Sequence, residues 1–231
     1  MQRFAMALLF ILVSGCAFQA PWEKVDYDRQ AEAYTKLGMG YLEQGQTGRA
    51  LNDFRKALEV RSSYPEALHG TALALQQQGE FSLAEGYFKQ ALQVKGNQTA
   101  VRNNYAAFLF SQSRYDDARK QLEVASKDIY YSERVLVFTN LGLVSIKLNE
   151  PDKAVSYFKQ ALALDADYIQ PHRELLELHS KQKAWQQAER HWFFLRDAQV
   201  NDEATLKQAL IVVQNTDNQK EVRYINSLLN Q

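Results

Sequence analysis

Cysteine, helix-breaking residues and net charge are all scarce in this chain of 231 residues. A single cysteine excludes any disulfide within the chain, so the thiol has to be explained by its position. Ten glycines and four prolines are too few for a collagen-like or low-complexity chain. The 27 basic side chains are balanced by 27 acidic ones, and no block of like charge interrupts the mixture. Without a basic field there is no means of holding phosphates, so no nucleic-acid partner is expected. No apolar run reaches the roughly 20 residues that cross a bilayer as a helix. Apolar material is nevertheless ample: 46% of residues are hydrophobic, with 12 Tyr and 12 Phe, enough for a sizeable core.

That material is arranged periodically. Ala50, Ala84 and Ala118 are spaced by 34 residues, Ala154 follows after 36 and Ala188 after a further 34. Four residues beyond each stand Phe54, Phe88, Leu122, Phe158 and Trp192, and seven beyond stand Ala57, Ala91, Ala125, Ala161 and Leu195. KQALQV at 89–94 returns almost intact as KQALAL at 159–164. Gly45, Gly79, Ser113, Asn149 and Lys183 share one repeat position, where a left-handed residue would close a first helix before a second begins. Pro65, Pro151 and Pro171 fall near expected helix starts, where a missing N–H is harmless.

This pattern resembles the tetratricopeptide repeat, in which a Leu-Gly pair on the first helix faces an Ala, aromatic, Ala series on the second. Leu37-Gly38 and Leu141-Gly142 keep the pair; Thr71-Ala72, Tyr105-Ala106 and Leu175-Leu176 replace it elsewhere. The resemblance implies an all-α fold, a right-handed superhelical solenoid of about six helix pairs over residues 29–231. Its repeats run at about 31–64, 65–98, 99–132, 135–168 and 169–202. A degenerate capping pair at 203–230 ends the array, with Leu206, Leu210 and Val213, then Val222, Ile225 and Leu229, continuing the apolar face.

Residues 1–15 read as an address. Met1-Gln2-Arg3 carries one positive charge, and Phe4 to Val13 is an apolar run of the length a secretory signal uses. It ends in Val13-Ser14-Gly15-Cys16, which resembles the bacterial lipobox. That resemblance implies cleavage before Cys16, lipidation of its thiol and a membrane anchor; two or three acyl chains hold far more firmly than one. Ala17 in place of Asp implies, by likeness to enterobacterial lipoproteins, the outer membrane with the protein facing the periplasm. Residues 16–28 are expected to form a short tether, kept extended by Pro21.

In tetratricopeptide arrays the first helices line a concave groove. Carried over by repeat position, the groove takes Met39 and Leu42 from repeat one, His69 and Leu73 from repeat two, and Asn103, Asn104 and Phe110 from repeat three. Repeat four adds Asn140, Leu143 and Ile146, and repeat five adds Arg173, Glu174 and Glu177. Leu73, Phe110, Leu143 and Ile146 would make an apolar stripe on a surface that need not be buried, the usual mark of a binding face. Asn104 and Asn140 are equivalent, and an asparagine can pair with both the N–H and the C=O of a bound backbone. Some of these side chains would instead pack only between repeats, and the convex face and the edge loops remain alternatives.

No catalytic pattern stands out. His172 and His179 lie seven apart on one helix, with no Cys or paired carboxylate to complete a metal shell, and read as exposed or half-buried helix histidines. There is no Gly-rich phosphate loop and no nucleophile in a known motif. The chain is expected not to be an enzyme and to take no cofactor, metal or small-molecule substrate. An enzyme working at the His172/His179 face is the reading from another class.

A lipobox, a short linker and about six tetratricopeptide pairs in some 230 residues resemble the PilF/PilW-like pilotins of type IV pilus biogenesis. Tyr34 to Gly45 and Asn103-Asn104-Tyr105 with Phe108-Leu109 are similar to that family as well. The resemblance implies a lipoprotein that binds the pilus secretin and promotes its outer-membrane localisation and multimerisation. An adaptor for outer-membrane barrel assembly or for regulation of peptidoglycan enzymes is the alternative within the same class.

Overall fold

The computed structural model describes residues 26–94 and 98–230; the signal segment 1–15, Cys16 and most of the tether lie outside the described residues. The described residues form twelve α-helices and no strand. They are α1 (Tyr27–Glu43), α2 (Thr47–Val60), α3 (Pro65–Gln77), α4 (Phe81–Gln93), α5 (Thr99–Ser111) and α6 (Tyr115–Ala125). The second half comprises α7 (Arg134–Lys147), α8 (Pro151–Leu164), α9 (Ile169–Lys181), α10 (Trp185–Asp197), α11 (Glu203–Asn215) and α12 (Gln219–Leu229). Each odd helix packs on the even one that follows, giving six pairs. None of these helices is long and apolar enough to cross a membrane.

One boundary differs from expectation. The tether was expected to reach residue 28, but α1 begins at Tyr27, because Asp26 caps it by accepting a hydrogen bond from the Arg29 N–H at 3.1 Å. Asp202 and Asn218 cap α11 and α12 in the same way.

The turn inside each pair is one device used six times. Gly45, Gly79, Ser113, Asn149, Lys183 and Asp217 all take positive φ, between 55° and 82°. In every case the next residue's N–H reaches back over the turn, as Gln46 does to the Tyr41 carbonyl at 2.8 Å and Ala184 to that of His179 at 2.8 Å. This is the Schellman closure, which satisfies carbonyls that a helix end leaves without partners. Only the first two turns use glycine, so the others hold a side chain in a conformation that costs about 1–2 kcal/mol. Gln199, after α10, is a seventh left-handed residue at a place where no other pair has one.

Packing explains the periodic alanines. Ala50, Ala84, Ala118, Ala154 and Ala188 are all fully buried, and the large side chain four residues beyond each is buried with it. Where the Leu-Gly pair survives, the ring presses on the glycine. A Cβ on Gly38 would stand 2.6 Å from Phe54, and one on Gly142 would stand 2.4 Å from Phe158. Gly70, on α3, makes room for the same ring: a Cβ there would stand 2.4 Å from Phe54. In repeat two, Phe88 stacks on Tyr105 with ring centroids 5.3 Å apart and meets Phe108 at 5.5 Å. Buried hydroxyls of Thr35, Thr71, Thr139 and Ser145 each donate to the carbonyl four residues back, so they add no unsatisfied polar group.

The 36-residue step is absorbed between α6 and α7, where the longer connection exposes Ile129 and Tyr130. At the start of the array Leu37 is exposed, although its counterparts Thr71, Tyr105, Leu141 and Leu175 are buried; no earlier helix pair among the described residues covers it.

Candidate protein-binding groove

The shape of the array follows from which helices meet. First helices touch the next first helices directly (α1 with α3, α5 with α7, α9 with α11), whereas second helices do not pack on the next second helices to any comparable extent. A row that closes up beside a row that opens curves toward the closed side. The first helices therefore line the inner surface.

Several cavities lie along that surface. One, about 570 Å³, is lined by Thr35, Lys36, Met39 and Gly40 of α1 with Tyr64, which caps α3, and His69 in the first turns of α3, and is flanked by Glu32, Glu43 and Glu66. The second, about 320 Å³, lies across α5, α7 and α9: Phe110, Leu143, Ile146 and Leu178 form its apolar part, and Lys147, Glu174, Glu177 and Lys181 its polar part. A small apolar recess of about 80 Å³ under Phe110, Asn140 and Leu143 continues it toward Ala106 and Leu122. A further cavity of about 390 Å³ adjoins it between α9 and α11 and shares Glu174 and Glu177.

The residues singled out from the sequence separate into groups. Phe110, Leu143 and Ile146 come together in one cavity, and Met39 and His69 in the other. Leu42 is half-buried against Ala50, Phe54 and Ala74, and Leu73 is half-buried against the central core; neither lines a described cavity. Asn103 is buried, only 5% exposed, rather than open to a ligand. Its Oδ1 accepts a hydrogen bond from Asn140 Nδ2 at 2.9 Å, tying α5 to α7. Asn104 Nδ2 lies 3.0 Å from His69 Nε2 and ties α5 to α3. One amide N–H of each equivalent asparagine thus works inside the array, leaving the side-chain carbonyl and the second N–H for a bound chain.

The histidines also differ from their sequence reading. His172 and His179 are buried, where exposed or half-buried positions were expected, because both face α10 and meet His191. His172 Nδ1 lies 2.9 Å from His191 Nδ1, and His172 Nε2 lies 3.0 Å from the Ala166 carbonyl. The carbonyl can only accept, so neutral His172 carries its proton on Nε2 and accepts from His191 Nδ1–H. The ring of His172 also stacks on Phe194 at 3.7 Å. His179 Nδ1 is buried without a hydrogen-bond partner. No three His, Cys, Asp or Glu side chains among the described residues are grouped to hold a metal ion. His191 was not anticipated, because the crossing of α9 and α10 that brings it to His172 carries no sequence motif.

Burial keeps these rings neutral. It pushes His69 down to about 4; His191 is pushed to about 4 as well, by burial first and then by the repulsion it would meet from His172 and His179 once those rings take up protons. An unfolded histidine titrates near 6.5. A depressed folded value means that acid favours the unfolded chain, so this stability is complete above pH 6.5 and is lost as pH falls from 6.5 toward 4. Glu85 acts lower. It is held down to about 2, first by the Lys89 hydrogen bond, and its contribution begins to go only below about 4.5. Thermal melts should therefore weaken between pH 7 and pH 5 by on the order of 1–2 kcal/mol for each of the two histidines. The joint variant His69→Gln and His191→Gln should flatten that slope, and an unchanged slope would show that other groups set it.

Comparison with known proteins agrees with this geometry. Tetratricopeptide-repeat family models match residues 35–100, 75–130 and 136–168. The chain is 34% identical over 193 residues to the type IV pilus assembly protein PilF of Pseudomonas aeruginosa, covering 80% of this chain and 77% of that protein. A solved structure of Pseudomonas aeruginosa PilF superposes with a TM-score of 0.83 at 30% identity, over 88% of this chain and 91% of that one. The crystal structure of PilW, described as a widely conserved type IV pilus biogenesis factor, superposes with a TM-score of 0.75 at 20% identity, over 86% and 91% of the two chains, and supports the fold alone. The chain belongs to the tetratricopeptide-repeat family of the type IV pilus assembly protein PilF.

Proposed function

We propose that this protein is a lipid-anchored adaptor of type IV pilus biogenesis: it binds the pilus secretin through its concave face and promotes the secretin's arrival and multimerisation in the outer membrane. The observation that carries the reading is the likeness to PilF over four-fifths of the chain, combined with the apolar floor of Phe110, Leu143 and Ile146. Apolar side chains left half-exposed in a concave surface gain when a partner covers them. The lipobox-like Val13-Ser14-Gly15-Cys16 supports the anchor. Acyl chains on Cys16 would confine adaptor and secretin to one plane and raise their effective concentration. The role is to hold and position, with no chemistry assigned to any side chain.

The test is complementation of a deletion strain of the source bacterium. Deletion should remove surface pili and heat-resistant secretin multimers, and the wild-type gene should restore both. The Phe110→Glu and Leu143→Glu double variant should be made at normal level and helicity yet restore neither. Cys16→Ala should leave the protein without acyl chains and the secretin away from the outer membrane. A deletion strain with normal pili and multimers would overturn the proposal, and co-purification with barrel-assembly or peptidoglycan enzymes instead would redirect it.

A further inference from the structure

Glu174 occupies an unusual place in the groove. It lines both the cavity floored by Phe110, Leu143 and Ile146 and the adjoining one toward α11. The basic side chains beside it are engaged elsewhere: Lys181 Nζ lies 2.5 Å from Glu177, and Arg173 lies 2.8 Å from Asp202. Lys147, on the same cavity, is exposed to solvent; it and Lys181 attract Glu174 through space, but neither forms an ion pair with it. The Glu174 carboxylate instead accepts one hydrogen bond from a neutral donor, Gln170 Nε2, at 2.6 Å. A carboxylate has about four lone-pair sites, so most of its capacity is unused.

Its surroundings favour one kind of occupant. Glu174 is half-buried beside apolar walls; burial raises its pKa and the Glu177 charge adds to the rise, opposed by the Gln170 hydrogen bond and by the charges of Lys181 and Lys147. An incoming cation is attracted more strongly there than on an open surface, because the local dielectric is lower. The wider groove leans the same way. Across its three larger cavities six carboxylates (Glu32, Glu43, Glu66, Glu174, Glu177 and Asp202) stand against four cations (Lys36, Lys147, Lys181 and Arg173), so an acidic segment would be repelled and a basic one drawn in.

We propose that this part of the groove recognises a partner segment in which an apolar side chain stands next to a lysine or arginine. The apolar side chain seats on Phe110, Leu143 and Ile146, and the cation pairs with Glu174. This rests on the concave face being the partner site, and it adds the chemistry of what is bound.

The probe is a random dodecapeptide library displayed on phage and panned on the full chain in detergent at neutral pH. Recovered peptides should combine an apolar residue with a neighbouring Lys or Arg and lose binding on Leu143→Glu. Their affinity should fall about tenfold on Glu174→Gln, and Glu174→Lys should redirect selection to peptides bearing Asp or Glu. Circular dichroism of the three variants should match the wild type. Peptides that need Leu143 but show no basic enrichment and bind Glu174→Gln normally would overturn this inference and leave the groove reading standing. Peptides indifferent to Leu143→Glu, or no enrichment at all, would overturn both.

Discussion

Gly142→Ala should destabilise the protein, and the same substitution in a Phe158→Ala background should stabilise it. An added Cβ at residue 142 would stand 2.4 Å from one ring atom of Phe158 and 2.6 Å from another, closer than packed carbons tolerate. The ring has nowhere to go: Phe158 is fully buried and packs with Ala154, Leu175 and Leu178. Either α7 moves away from α8 or the ring leaves its rotamer, and overpacking of this kind costs about 1–3 kcal/mol. Against that, alanine is favoured over glycine inside a helix by about 1 kcal/mol. With alanine at 158 every ring atom the new Cβ would meet is gone and only the helix preference remains, so the effect changes sign. Repeat four lies mid-array, and a defect there uncouples the pairs before it from those after, because each repeat is held only by its neighbours. Urea melts should then broaden or split. A stabilising Gly142→Ala in the native background would show that the ring has room to yield.

The same residues show which parts of the fold can be read from a sequence. Gly142 and Phe158 stand 16 residues apart, as do Gly38 and Phe54, so a contact between helices is written as a fixed spacing. The left-handed turns at Ser113, Asn149 and Lys183 are legible for the same reason: the position repeats, although the residue type does not. Gln199 breaks that logic, since its turn occurs once and out of phase. The start of α1 was legible in principle, as Asp26 is an ordinary capping residue. The groove was harder. Asn103 and Asn104 are adjacent, about 100° apart around a helix, and only packing decides that one is buried beneath Asn140 while the other reaches His69. Periodicity identifies a face to within such an angle, so it brings Phe110, Leu143 and Ile146 to one cavity, leaves Leu73 half-buried outside it, and places Asn103 too far outward.

Glu221→Ala should cost about 2–4 kcal/mol and loosen the last helix pair first. Glu221 is four residues before Ile225 on α12, so its carboxylate belongs to the apolar face and is carried into the core with it, where the residue is only 5% exposed. It is tolerated because it has partners. Oε2 accepts from Trp192 Nε1 at 3.0 Å, and Oε1 accepts from Arg196 Nη1 at 2.8 Å, both on α10. Trp192 is fully buried, so removing the carboxylate leaves its N–H without an acceptor, and that loss is the larger part. Arg196 suffers less, since it keeps Asp197 at 2.7 Å and reaches solvent. Glu221→Gln should lose less than Glu221→Ala, because an amide oxygen still accepts from the indole. Trp192→Phe together with Glu221→Leu removes both polar partners and should cost less than the two single changes added. Hydrogen exchange locates the effect: amides of α11 and α12 should lose protection in Glu221→Ala while those of α3 to α6 keep theirs, as expected where each pair is held only by its neighbours. Uniform loss of protection along all twelve helices would mean instead that the array unfolds as one unit, and that the carboxylate buried at its end secures the whole protein.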